Sequence, residues 1–82
     1  MPVFLGVHDF GEAADETKVK DSWSRYGEAC KNHGAKPWKV YFNAKEGKAF
    51  CVTEAASAED VRAAHADIDL ALKDLVEVQK LG

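Results

Sequence analysis

The chain has 82 residues, of which 46% are hydrophobic and 30% are charged, and its formal net charge is −3. A chain of this length is expected to form one domain over residues 1–82, and its scattered basic residues argue against a nucleic-acid partner. No apolar run approaches the ~20 residues of a membrane span, and the start lacks the pattern of a signal peptide. We therefore expect a cytoplasmic protein that binds neither membranes nor nucleic acid.

The first half of the sequence predicts a strand followed by a helix. In PVFLGVHDF the residues alternate, which places Val3 on one face of a strand and His8 on the other. Asp15 or Thr17 can cap a helix that runs to about His33, next to a glycine suited to end it. Its core-facing stripe is formed by Val19, Trp23, Tyr26 and Cys30.

The second half predicts two strands, a helix and a last strand. WKVYFN and AFCVTE alternate as strands on either side of a hairpin loop, in which Gly47 can adopt a positive φ. Ser57 is expected to cap the second helix, whose C-terminal end the sequence leaves open. The closing LVEVQKL reads as the fourth strand. The inner face of the second helix is expected to carry Val61, Ala64, His65 and Ile68.

The resulting order, β-α-β-β-α-β, is that of an α+β ferredoxin-like fold with a four-stranded antiparallel sheet. Right-handed crossovers place both helices on one face and give the spatial strand order 4-1-3-2. The other face keeps apolar residues that need a cover. We therefore expect a homodimer packed sheet to sheet, of the dimeric α/β barrel type.

In this topology several potential metal ligands are expected at one end of the sheet. His8 and Asp9 end the first strand, and the second helix returns to the same end when it reaches His65. The connection that follows carries Asp67 and Asp69. Imidazole and carboxylate together suit Ni, Zn, Co or Cu(II), so His8, Asp9 and His65 form a candidate metal site.

A structural role is the competing interpretation for each histidine. His8 can lie at a strand end or in a dimer contact, and His65 can be a hydrogen-bonded, half-buried residue of an apolar stripe. His33 can interact with the C-terminal dipole of the first helix, or it can serve as a separate, exposed metal ligand. It is expected at the opposite end of the sheet, with Glu54. The cysteines, Cys30 and Cys51, lack CxxC or zinc-finger spacing and are interpreted as buried free thiols.

The stretches KVYFNAKEGKAFCVTEAASAEDVRAAHADI and LVEVQKL resemble a family of small ferredoxin-like proteins of unassigned function that is abundant in actinobacteria. The family pattern reads SYV…D-K-TFCVYEAP…EAVREHA. Matching positions in this sequence are Phe50, Cys51, Val52, Glu54, Ala55, Val61, Arg62 and His65. Ala56 replaces the usual proline and Thr53 the usual aromatic residue.

The length of the chain and its MPVFLGVHDF start are similar to those of a nickel-binding, dimeric representative of that family. The resemblance therefore implies Ni²⁺ held at a dimer surface by histidines and carboxylates, for sequestration or detoxification. It does not assign the ligands.

Two other functions remain open from the sequence. A dimeric α/β barrel can bind or transform a small hydrophobic molecule, as a monooxygenase or isomerase would, with His8 or Glu54 as the base. An N-terminal Pro2 base of the tautomerase kind requires removal of Met1, which we do not expect. A dimeric module without any ligand is the third alternative.

Overall fold

The computed structural model describes residues 1–82 and contains four strands and two helices in the predicted order. The elements are β1 (Val3–Asp9), α1 (Glu16–Lys31), β2 (Lys36–Asn43), β3 (Lys48–Glu54), α2 (Ala58–Asp67) and β4 (Asp74–Val78). The sheet has the order β2-β3-β1-β4, and all neighbouring strands are antiparallel. The predicted ferredoxin-like fold is confirmed.

The central strand β1 sets the register of the sheet. Gly6 pairs with Cys51 of β3 on one side and with Leu75 of β4 on the other, and His8 pairs with Ala49. Because successive side chains of a strand point to opposite faces, Gly6, His8 and Cys51 share one face of the sheet. That face is the one the helices cover, since all three are buried.

Side-chain caps fix where the helices begin. The Asp15 Oδ1 accepts a hydrogen bond from the Thr17 amide at 2.8 Å, and the Ser57 Oγ accepts one from the Asp60 amide at 3.4 Å. Each bond satisfies an amide that has no partner inside the helix. Of the two candidate caps for α1, Asp15 is therefore the one used. Neither helix is long and apolar enough to cross a membrane.

Two elements end earlier than the sequence predicts, and a third has an end that the sequence left open. α1 ends at Lys31, slightly earlier than expected, and Gly34 then takes a φ of 67°, a conformation that favours glycine. α2, whose end the sequence left open, stops at Asp67. β4 ends at Val78 rather than continuing to the end of LVEVQKL, because Val78 pairs with Val3, the first residue of β1. The residues that follow have no strand residue to pair with.

The two faces of the sheet differ in burial. The helix-covered face packs against a core formed by Phe4, Tyr26, Ala29, Cys30, Ala35, Ala55, Val61 and Ala64. On the other face, Val7 and Phe50 are only half-buried, while Tyr41 and Val76 are exposed. This apolar, helix-free face is the surface from which the homodimer is predicted.

Candidate metal centre

Three buried side chains with metal-binding atoms meet between the sheet and α2. They are His8 from β1, Cys51 from β3 and His65 from α2, with exposed fractions of 3%, 3% and 2%. The Cys51 Sγ lies 3.5 Å from the Nε2 of His8 and 3.6 Å from the Nε2 of His65. All three donor atoms lie within 4.8 Å of one another.

Gly6 provides the space that the Cys51 thiol occupies. The two residues are directly opposite in the β1–β3 pair. A Cβ added at Gly6 would lie 2.6 Å from the Cys51 Sγ and 3.0 Å from the Cδ2 of Leu72, both closer than ordinary van der Waals contact. The glycine of GVHD therefore makes room for the sulfur, while His8, two residues later on the same face, supplies one of the imidazoles.

Backbone carbonyls orient both imidazoles toward the sulfur. The Nδ1 of His8 lies 2.9 Å from the carbonyl oxygen of Ala71, and the Nδ1 of His65 lies 2.8 Å from that of Val61. A carbonyl oxygen only accepts hydrogen bonds, so each Nδ1 carries the proton and donates it. Each neutral ring then has its lone pair on Nε2, which faces Cys51. A carbonyl partner of this kind is the usual outer support of a metal-binding histidine.

The cluster has more acceptors than protons. Both Nε2 atoms need a donor, and the only group between them is the Cys51 thiol, which has one proton. The thiol can therefore donate to only one of the two nitrogens at a time, and a buried nitrogen left without a donor costs about 1–3 kcal/mol. A metal ion held by both lone pairs and the thiolate would remove the mismatch.

Burial keeps the three groups neutral in the absence of a metal. It lowers the pKa of His65 to about 4, more than the hydrogen bond to Val61 raises it, and the neighbouring His8 lowers it further. Burial also lowers the pKa of His8, against the opposing effect of the hydrogen bond to Ala71. It raises the pKa of the Cys51 thiol to about 11. Neutral imidazoles are competent ligands, whereas the thiol must lose its proton on binding.

The two sulfur–nitrogen separations fit a four-coordinate ion. Bonds of about 2.0–2.1 Å to nitrogen and about 2.3 Å to sulfur, at a tetrahedral angle, place the nitrogen and sulfur about 3.6 Å apart. The separations from Cys51 to His8 and His65 are 3.5 and 3.6 Å. Two imidazoles and one thiolate leave a fourth position open, and this donor set suits Zn, Cu, Co or Ni.

Aromatic rings flank both imidazoles. The Tyr26 ring lies 4.4 Å from the His65 ring, the two histidine rings are 5.2 Å apart, and Phe10 lies parallel to His8 at 6.3 Å. The Tyr26 hydroxyl is 2.6 Å from the Thr53 Oγ1, and burial raises the pKa of Tyr26 well above its usual value. Tyr26 thus packs against His65 as a neutral, hydrogen-bonded ring.

A small cavity adjoins the three donors. Its volume is about 30 Å³, and apart from the donors its lining is mainly apolar. A cavity of this size can hold an ion or a water molecule, since a water needs about 10–15 Å³. Pockets for small organic molecules have volumes of about 300–1,000 Å³, so the cavity does not suit a hydrophobic substrate.

Asp9, one of the predicted ligands, does not join the cluster. It follows His8 directly in β1, so its side chain lies on the opposite face of the sheet. Its Oδ1 accepts from the Gly11 amide at 2.9 Å and its Oδ2 accepts from the Lys73 ammonium at 3.2 Å. These two bonds hold the pKa of the Asp9 carboxyl below its usual value.

His33 and Asp67 form a separate pair at the C-terminal ends of the two helices. The Nε2 of His33 lies 2.7 Å from the Asp67 Oδ2, and the Arg25 guanidinium donates to the Ile68 carbonyl at 3.3 Å beside them. The expectation that Asp67 joins His8 is therefore wrong, because its carboxylate pairs with His33 instead. The strand that follows His33 begins with Lys36 opposite Glu54, in line with the end of the sheet expected for His33.

Cys51 is the member of the cluster that sequence reasoning missed. It was interpreted as a buried free thiol, and both cysteines are indeed free and buried. The available signal was strand alternation, because Cys51 lies on the inner face of β3 as His8 does on β1. The register between these two strands, which the sequence does not give, is what brings them together.

Comparison with known proteins identifies relatives of this chain. A family model described as nickel responsive protein SCO4226-like matches residues 4–78. The crystal structure of SCO4226 from Streptomyces coelicolor A3(2) superposes with a TM-score of 0.90, covers 98% of this chain and 99% of its own, and is 18% identical. No curated protein matches the chain. The structural likeness supports the fold, and the chain belongs to the SCO4226-like family of nickel responsive proteins.

Proposed function

We propose that this protein binds a divalent transition-metal ion, with Ni²⁺ as the natural candidate, through His8, Cys51 and His65. The observation that carries the proposal is the convergence of two imidazole Nε2 atoms on one sulfur at 3.5 and 3.6 Å. Both separations match the distance expected between a sulfur and a nitrogen ligand of one ion, and they occur where a thiol proton alone cannot satisfy both nitrogens.

Nickel is proposed because of the family, since the donor set alone also admits zinc, cobalt and copper. Within the family's nickel responsive description, a sequestering role fits this site better than a catalytic one. The three donors are buried, and the adjoining cavity of about 30 Å³ leaves no room for an organic substrate beside the ion. We therefore propose that the protein holds nickel and limits its free concentration in the cytoplasm.

The other residues predicted as ligands provide a second, weaker place for a metal. His33 and Asp67 offer one nitrogen and one oxygen, but their 2.7 Å contact already pairs them. Asp9 is engaged by Lys73. Displacing these partners offsets part of any binding energy, so a metal bound there is expected to be held more weakly than at the buried centre.

We further propose that the protein is a homodimer packed through the helix-free sheet face. Trp38, Tyr41 and Val76 are exposed, and half-buried residues of the same sheet surround them. Apolar patches of this kind mark interaction surfaces. Light scattering coupled to gel filtration should give twice the monomer mass for the wild type, and Val76→Asp should shift it toward the monomer. A wild-type monomer mass at micromolar concentration would contradict the dimer.

Calorimetric titration tests the metal proposal. Ni²⁺, Zn²⁺, Co²⁺ and Cu²⁺ are titrated into the reduced wild-type protein and into His8→Ala, His65→Ala and His33→Ala. We expect saturable Ni²⁺ binding that the first two substitutions weaken by at least about 100-fold, whereas His33→Ala, which removes a half-buried imidazole outside the centre, leaves it unchanged. Millimolar, unselective binding that is indifferent to His8 and His65 would refute the proposal.

A further inference from the structure

The candidate metal centre has to be reached from solvent by a route through the protein. His8, Cys51 and His65 are each at most 3% exposed, so the side chains that line the small cavity control how a ligand reaches the donors. Buried sites open to solvent through local motions of their least stable neighbours. The side chain that must move is the one that separates the donors from an open space.

Two larger cavities share lining residues with the small cavity at the donors. One, of about 300 Å³, shares only His8 with it and is otherwise lined by residues such as Val7 and Phe50 of the opposite sheet face. The other lies beneath the connection between β1 and α1 and has a volume of about 290 Å³. This second cavity shares three lining residues with the small cavity: Phe10, Val19 and Ser22. Val19 is buried in α1 and Ser22 is small, so of the three only Phe10 combines bulk with freedom to move.

Phe10 is held by its backbone rather than by its ring. Its amide donates to the Gly47 carbonyl at 2.8 Å, which fixes the position of the chain. The ring lies parallel to that of His8, with centroids 6.3 Å apart and an angle of 9° between planes, yet the residue is 43% exposed. Rotation about its side-chain bonds can thus move the ring without breaking a backbone hydrogen bond.

We propose that Phe10 is the gate through which ions reach the His8–Cys51–His65 centre, and that the cavity beneath the β1–α1 connection is the antechamber. The proposal rests on the proposed metal-binding function. The antechamber is lined by Glu12 and Asp15 against a single cation, Lys18, so it has a net negative charge that favours the approach of cations. Phe10 then sets the rates of binding and release, while the three donors set the affinity.

A thiol-labelling experiment tests the gate without any metal. The modification of Cys51 by methyl methanethiosulfonate is followed by mass spectrometry in a Cys30→Ser background, in which Cys51 is the remaining thiol. Phe10→Ala should accelerate labelling by about tenfold. Phe10→Trp, which places a bulkier side chain at the gate, should slow labelling. Phe42→Ala is the matched control, because Phe42 is a similarly exposed ring that lines neither cavity.

Stopped-flow measurement with Ni²⁺ provides the second readout. Phe10→Ala should accelerate association and dissociation by the same factor, and the Kd should stay within about threefold of the wild type. Labelling and metal exchange that are unchanged in both Phe10 variants, or that change equally in Phe42→Ala, would overturn the gate. If the wild type binds no Ni²⁺, the proposed function fails, but the labelling rates still decide whether Phe10 controls access.

Discussion

Replacing Gly6 by alanine perturbs the candidate metal centre by a single methyl group. The new Cβ would lie 2.6 Å from the Cys51 Sγ, whereas comfortable heavy-atom contacts are about 3.5–4.0 Å, so the sulfur has to move by about 1 Å. The Cδ2 of Leu72 at 3.0 Å closes the other side. Overpacking of this kind costs about 1–3 kcal/mol of stability.

The same displacement should harm metal binding more than it harms folding. Metal–ligand distances are tolerant to only about 0.2 Å, so a sulfur moved by about 1 Å no longer completes a site with His8 and His65. We expect Gly6→Ala to lose at least about 10–100-fold in Ni²⁺ affinity, the effect that misoriented ligands produce. The protein should remain folded at room temperature.

Urea unfolding and Ni²⁺ calorimetry on Gly6→Ala measure both effects. Gly27→Ala is the control, because Gly27 is in α1 and an added Cβ there meets no atom within 4 Å. It should raise the free energy of unfolding by about 0.5–1 kcal/mol and leave binding intact. If Gly6→Ala is folded and binds Ni²⁺ as tightly as the wild type, the space left by Gly6 is not what positions the sulfur, and the reasoning is refuted.

Three further predictions concern pH, the buried tyrosine and the half-buried His33. Burial lowers the pKa of His65 to about 4 from an ordinary value near 6.5. Between these two pH values the unfolded chain binds more protons than the folded chain, so the free energy of unfolding decreases as the pH falls from about 6.5 to about 4. Urea unfolding should show the metal-free protein to be about 2 kcal/mol less stable at about pH 5 than at about pH 7.5, and His8 should add to the loss. A free energy of unfolding that does not change with pH would contradict a buried neutral His65. Tyr26→Phe should lower the free energy of unfolding by about 1 kcal/mol, because it removes the hydrogen bond to the buried Thr53 hydroxyl. An unchanged unfolding midpoint would show that this bond is dispensable. His33→Ala should lower the free energy of unfolding by less than about 1 kcal/mol, since its hydrogen bond to Asp67 is partly exposed. A larger loss in the same assay would indicate a deeper role.

The fold could be predicted from the sequence because the signals for its helices, strands and turns are local. Alternation in PVFLGVHDF, caps at Asp15 and Ser57, and a hairpin glycine at Gly47 each determine an element from its own residues. The end of β4 could not be predicted, because it depends on where the partner strand β1 begins. Pairing between distant strands is a tertiary property, which composition and periodicity do not contain.

Only part of the candidate metal centre could be predicted from the sequence, for the same reason. Topology was enough to bring His8 and His65 to one place, where their rings lie 5.2 Å apart. It could not supply Cys51, whose position depends on the β1–β3 register, nor the pairing of His33 with Asp67, which depends on how the two helix ends pack. The carboxylates expected at the site are thus replaced by a thiol.

Thiolate ligation by Cys51 is the central claim, and near-ultraviolet absorption measures it directly. Ni²⁺ is titrated into the reduced wild type, Cys51→Ser and Cys30→Ser at neutral pH, and the thiolate-to-nickel charge-transfer band is recorded. Because both cysteines are buried and free, Cys30→Ser is the matched control. We expect a band that saturates at one ion per chain in the wild type and in Cys30→Ser, and that is absent from Cys51→Ser. A saturable Ni²⁺ complex without the band, or a band that survives in Cys51→Ser, would contradict thiolate ligation by Cys51.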